Sequence, residues 1–226
     1  MKVGIAIESF DSYRKKFAAL YDAVKNMHET SPHQHRGHGL DHDVAVAQMA
    51  ALIAPTPRIA DSGWVAALIH STDRLVEANE YAIQLRKYLD LLPANFFSDK
   101  EIEDVYLAVF EHDEKSPTHR CPTQEVLQDA DKLINMQATV FIRAGQFRFD
   151  IPTVELAHLE KINPASTYHA PKSVMDGLKI MTSEYPELIY TQKGKELASR
   201  YVERLRDYEQ QILEDYRLLN LIGVIL

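Results

Sequence analysis

The chain has 226 residues, 46% of them hydrophobic and 26% charged, and a formal charge of -8. This length can bury a sizeable core without cross-links, and the single cysteine, Cys121, excludes an internal disulfide. The negative balance argues against a broad nucleic-acid-binding face, while a small anionic substrate held by a local cation stays compatible with it.

Along the chain, the opening apolar stretch MKVGIAIESF is too short and too soon interrupted for a signal peptide. Phe10, Tyr13, Phe17, Leu20, Tyr21, Val24 and Met27 recur at steps that predict one amphipathic helix over 9–28. The Pro and Gly of ETSPHQHRGHG predict a loop over 29–39. Val44, Val46, Met49 and Leu52 resume helical spacing over 40–54, and APTPR stops that helix. ADSGWVAALIHS, residues 60–71, reads as a short buried helix, with helical character continuing to about 92. Ser98 with Glu101 forms a capping-box pattern for a helix to about His112. A loop over 113–122 follows, and Thr123 is placed to cap a helix to about 140. Residues 141–170 mix a short helix with loops, and QFRFDI is a weak strand candidate. Ser173 starts a helix to about Tyr185, and 191–218 forms the longest helix.

The expected class is all-α, with one domain over 1–226. The final run LLNLIGVIL is apolar for nine residues, where a membrane span needs ~20, so it reads as core or a subunit contact. Together with the stripe Tyr201, Leu205, Tyr208, Ile212 and Tyr216, it makes a homodimer conceivable. A cytoplasmic location without membrane association is the expectation. No Gly-rich phosphate loop and no G-x-S-x-G elbow occurs.

The histidines are unevenly placed. His28, His33, His35, His38 and His42 fall within fifteen residues, and most of them read as exposed and inert. His42 differs, because it begins a helix in HGLDHDVAVAQMA, four residues after His38. His70 closes the apolar run of AALIHSTDR. A buried polar group left unsatisfied costs ~1–3 kcal/mol, so His70 needs a metal or a backbone carbonyl as partner. VFEHDEKSP supplies His112 and Lys115, and EVLQDADKLINM supplies Asp129 and Asp131, which taken alone read as helix-dipole partners.

The order of HGLDH, then apolar-apolar-His, then His-x-x-Lys, then DADKL resembles the HD-domain metal-dependent phosphohydrolase superfamily over about residues 36–136. The resemblance implies an HD-domain helical bundle with additional N- and C-terminal helices, the C-terminal extension covering about 150–226. It implies a divalent metal ion (Mn, Mg, Fe, Ni, Co or Zn) and hydrolysis of a small phosphorylated molecule, a phosphate ester or a nucleotide. Residue by residue, it gives metal-ligand roles to His42, His70 and Asp131, and places His112 and Lys115 near substrate phosphate or a second metal. Asp73 and His112 are then the candidate catalytic groups. Lys115, Arg74 and His38 are candidate substrate contacts, with Lys132 beside them; Arg74 and Lys132 read equally as members of a solvated helix face.

Ser71 stands where the aspartate of the family's His-Asp doublet is expected. Serine is neutral, shorter and a poorer ligand than a carboxylate. Three readings stay open. Asp73, three residues after His70, substitutes as ligand or base, with Asp41 and Asp43 as further candidates. Alternatively, His42, His70 and Asp131 suffice with water. In the third, hydrolysis is lost and the domain is a ligand-binding or regulatory module. A helical bundle without metal, its histidines satisfied by ordinary hydrogen bonds, is the blandest alternative.

Overall fold

The computed structural model describes residues 8–33, 38–114 and 118–222. It is all-α, with no strand among the described residues; QFRFDI falls into a helix end and the turn after it. Contacts divide the chain into two compact units. The first runs to Ile134 and adds Tyr190–Gly194; the second comprises Asn135–Ile189 and the described residues from Lys195 on. No helix among the described residues is long and apolar enough to cross a membrane.

In the first unit, the single helix expected over 9–28 is broken into α1 (Phe10–Lys16) and α2 (Ala18–Thr30) at Phe17, which has φ -118° and ψ 41°. Ser9 caps α1 through the N–H of Ser12. The Phe17 ring is 1% exposed and packs 5.6 Å from Trp64 and 5.3 Å from Phe96, centroid to centroid. Burial of that ring outweighs helix continuity, which periodicity alone favoured.

APTPR both stops α3 (Leu40–Ile53) and starts α4 (Pro57–Leu68). Pro57 opens α4, where a missing N–H is harmless, and the Thr56 hydroxyl accepts from the Ile59 N–H. Gly63 brings α4 close to its neighbours: a Cβ there would lie 2.9 Å from Val126 Cγ1 and 3.6 Å from Ala50 Cβ. After α4 the chain tightens into a 3-10 turn, His70–Arg74, so the helical character expected to about 92 is interrupted before α5 (Tyr81–Leu89). α6 (Asp99–Phe110) carries the predicted Ser98–Glu101 capping box.

α7 (Pro122–Asn135) starts before Thr123 and ends short of 140. Thr123 is therefore inside the helix rather than its cap, and its buried hydroxyl pairs with Ser62 Oγ at 2.7 Å. The fully buried side chains of this unit include Trp64, Leu68, Leu85, Leu127 and Leu133, each at 0% exposure.

The second unit contains α8 (Val140–Phe147), α9 (Val174–Glu184) and most of α10 (Gln192–Leu218). Ser173 caps α9 as expected, through the Asp176 N–H. The buried Asp176 in turn accepts from Ser166 Oγ at 2.6 Å and the Asn163 N–H at 3.3 Å, organising the loop before α9. Of the α10 stripe, Leu205 is buried, whereas Tyr208 is 40% exposed. Leu218, Leu219 and Leu221 are exposed, so the described part of the C-terminal apolar run is not core.

Candidate metal centre

Three elements of the first unit deliver the central side chains. His42 lies in the first turn of α3, His70 opens the 3-10 turn directly after α4, and Asp131 sits on α7. His42 and His70 are 4% and 1% exposed. One donor atom from each of His42, His70 and Asp131 lies within 4.8 Å of the other two. His42 Nε2 is 3.5 Å and His70 Nε2 3.9 Å from Asp131 Oδ1. Ligands bound ~2.0–2.2 Å from one ion lie roughly 3–4 Å apart, so these separations fit a shared cation.

The hydrogen bonds set the ring orientations. His70 Nδ1 lies 2.7 Å from the Ala67 carbonyl. A carbonyl only accepts, so Nδ1 carries the proton, and in the neutral ring Nε2 keeps a lone pair for a ligand. His112 follows the same rule, with Nδ1 donating to the Val109 carbonyl at 2.7 Å and its ring 5.6 Å from that of His70. Neither ring nitrogen of His42 has a hydrogen-bond partner of ordinary length among the described residues. A buried imidazole in that state is one a cation would satisfy. Burial pushes the Asp131 carboxyl up, but His42, His70 and His112 outweigh it and hold the group well below its ordinary value.

The other predicted residues divide. His38 places its ring 5.1 Å from that of His42. Gln128 donates to the carbonyls of His112 and Glu114, both at 2.9 Å, fixing the backbone that follows α6. Asp73 is not among the side chains whose donor atoms converge; it approaches Arg74 Nε at 3.9 Å. Lys132 donates to the Gln128 carbonyl at 3.2 Å, and burial lowers its pKa against the pull of Asp131. Asp41 is exposed. Lys115 lies outside the described residues.

At position 71, Asp43, one of the candidates named for the substitute carboxylate, is joined to Ser71 and to His28, a link the sequence left open. Ser71 is fully buried, and its Oγ donates to Asp43 Oδ1 at 2.6 Å. Asp43 is 1% exposed, and its other oxygen pairs with His28 Nε2 at 2.8 Å. His28, read as inert from composition, is thus held against a buried carboxylate; its side chain is 8% exposed. The available signal was spacing, because His28 continues the inward stripe of Tyr21 and Val24 along α2. Asp129 is no part of the cluster: its carboxylate accepts the backbone N–H groups of Tyr190 and Thr191.

Asp104, His119 and Cys121 also bring donor atoms within 4.8 Å of one another. There His119 Nε2 already pairs with Asp104 Oδ1 at 2.9 Å, and Lys100 takes the other oxygen at 2.8 Å. Burial pushes the Cys121 thiol up, away from the ligating thiolate.

No protein-family model matches the chain. No curated protein matches it either. Among solved structures, it is similar to a Lactobacillus plantarum protein determined as a structural-genomics target, with a TM-score of 0.66 and 16% identity, covering 94% of this chain and 100% of that one. It is also similar to Bacillus subtilis YpgQ in complex with ADP, with a TM-score of 0.60 and 17% identity, covering 90% of this chain and 96% of that one. At these identities the likeness shows a shared fold.

Proposed function

We propose that this protein is a divalent-metal-dependent phosphohydrolase of the HD type, acting on a small phosphate ester or anhydride and most naturally on a nucleotide. The observation that carries the reading is the convergence of His42, His70 and Asp131, far apart in sequence, onto one point. The ordered resemblance of HGLDH, ALIHS, FEHDEK and DADKL to that superfamily supports it, as does the ADP bound by a similarly folded protein. In this role His42, His70 and Asp131 hold the ion, which when bound supplies a Lewis acid for a phosphate oxygen and acidifies a water. His70 and His112 present their Nε2 atoms because their Nδ1–H groups are committed to carbonyls. His112 is assigned to the substrate phosphate, as are Lys115 and His38 on the sequence resemblance. The set of two imidazoles and one carboxylate suits Mn, Fe, Co, Ni or Zn, with Mg as the harder alternative.

Phosphate release tests this. With added Mn, Mg, Ni or Co, the protein is expected to hydrolyse p-nitrophenyl phosphate or nucleoside di- and triphosphates, and Asp131→Asn is expected to abolish the activity. The second reading, a ligand-binding module that has lost hydrolysis, is favoured by Ser71 specifically. It is indicated instead if the protein binds metal and ADP yet releases no phosphate from any substrate in that panel.

A further inference from the structure

Two hydrogen bonds at the candidate metal centre leave an electrostatic anomaly. The Ser71 hydroxyl proton is directed at Asp43 Oδ1, 2.6 Å away, because a carboxylate can only accept. The His70 proton is directed from Nδ1 at the Ala67 carbonyl. Yet Ser71 Oγ and His70 Nε2 face one another at 3.3 Å. With a neutral imidazole whose proton is on Nδ1, that contact has no proton in it, in a place where Ser71 is 0% and His70 1% exposed. Such an arrangement is repulsive unless a positive charge stands beside both atoms. Asp131 Oδ1 lies 3.9 Å from the same Nε2, so that nitrogen has an electron-pair donor near it on each of two other side chains.

From this geometry we infer that Ser71 Oγ is itself a metal-facing donor and that Asp43 is the carboxylate behind it, the two acting together in place of the single aspartate expected at position 71. Asp43 is a positioning residue. It takes the serine proton, which turns the oxygen lone pairs toward the ion and makes a neutral hydroxyl a stronger donor. It also restores the negative charge that serine lacks, one hydrogen bond further out. His28 holds the far oxygen of Asp43 at 2.8 Å, which fixes the carboxylate's plane. Outer partners of this kind orient ligands and raise their basicity. The inference rests on the metal-binding reading above, and it distinguishes Asp43 from Asp73 and Asp41.

The experiment measures Mn²⁺ affinity by calorimetry, with the wild-type protein, Asp131→Asn, Ser71→Ala, Asp43→Asn and the Ser71→Ala/Asp43→Asn double variant. The metal-free thermal midpoint and near-ultraviolet circular dichroism of each serve as fold controls. Outer-partner losses run to about 10–100-fold in affinity, so Ser71→Ala and Asp43→Asn are each expected to weaken Mn²⁺ binding at least tenfold. The double variant is expected to be no worse than the poorer single one, because the pair acts as a unit. If the wild type does not bind Mn²⁺, the metal-binding reading itself fails. If the wild type binds and Asp131→Asn does not, but Ser71→Ala and Asp43→Asn bind normally, the paired role is overturned while the metal centre stands. Additive losses also overturn it, because they describe two independent residues. Should Asp43→Asn not fold, Ser71→Ala decides alone, since it removes one oxygen and leaves Asp43 bonded to His28.

Discussion

The backbone N–H of Tyr190 donates to both oxygens of Asp129, at 2.9 and 3.2 Å, and ties together residues that are 61 positions apart. Thr191 N–H adds a third bond at 2.7 Å. Asp129 is fully buried, and burial pushes its carboxyl up in spite of those donors. Two residues on along α7, Asp131 faces the imidazoles instead. Asp129→Ala is therefore expected to deprive the half-buried Tyr190 and Thr191 N–H groups of their acceptor and to lower stability by about 1–3 kcal/mol. Chemical denaturation measures the loss, and hydrogen exchange at Tyr190 and Thr191 shows whether those amides become exposed. Unchanged protection of both amides would contradict the assignment.

The proposed metal binding makes a prediction about stability that needs no substrate. An ion that binds only the folded chain stabilises it by about 2.7 kcal/mol at a hundredfold excess over its dissociation constant. Saturating Mn²⁺ should raise the thermal midpoint of the wild type and leave that of His70→Ala or Asp131→Asn where it was. Equal shifts in all three proteins would place the ion elsewhere.

Glu101 predicts the behaviour in acid. Its carboxyl falls from the ordinary 4.5 to about 2, chiefly through Arg58 and the Ser98 N–H. Arg58 donates to it through Nε at 2.5 Å and Nη2 at 2.7 Å. Because the folded value lies below the unfolded one, the stabilisation is complete above about pH 4.5 and is lost as the pH falls toward 2. Thermal midpoints measured across that window should fall less steeply for Glu101→Gln than for the wild type, although the variant starts lower at neutral pH. Parallel curves would show that the pair contributes nothing measurable.

Gly63 reports on close packing inside the first unit. In an exposed helix, Gly→Ala gains about 1 kcal/mol. Here the new methyl would lie 2.9 Å from Val126 Cγ1, and overpacking of a tight core costs about 1–3 kcal/mol. Gly63→Ala is expected to be destabilising, and combining it with Val126→Ala to recover part of the loss. A stabilised Gly63→Ala would mean that α4 and α7 have room to spare.

Helix class, the capping of α6 and α9, and the three side chains that converge in the candidate metal centre were legible because each leaves a local mark: apolar periodicity, Ser with an acid three residues on, or a short motif in a set order. The break at Phe17 left no such mark. Its ring sits in the same apolar stripe as its neighbours, and only the aromatic cluster around Trp64 decides that the helix bends there. Thr123 looked like a cap because a hydroxyl at a helix start usually is one; Ser62, 61 residues away, takes that hydroxyl instead. Asp129 and Asp131 were indistinguishable in one dimension, and the side of α7 each occupies assigns one to Tyr190 and Thr191 and the other to the imidazoles. The same holds at position 71. The sequence by itself determined that position 71, next to His70, carries a serine where the superfamily it resembles has a carboxylate. Only the tertiary structure put Asp43 against Ser71 and His28 against Asp43, because a hydrogen bond depends on separations of a few ångströms, which neighbours along the chain do not specify.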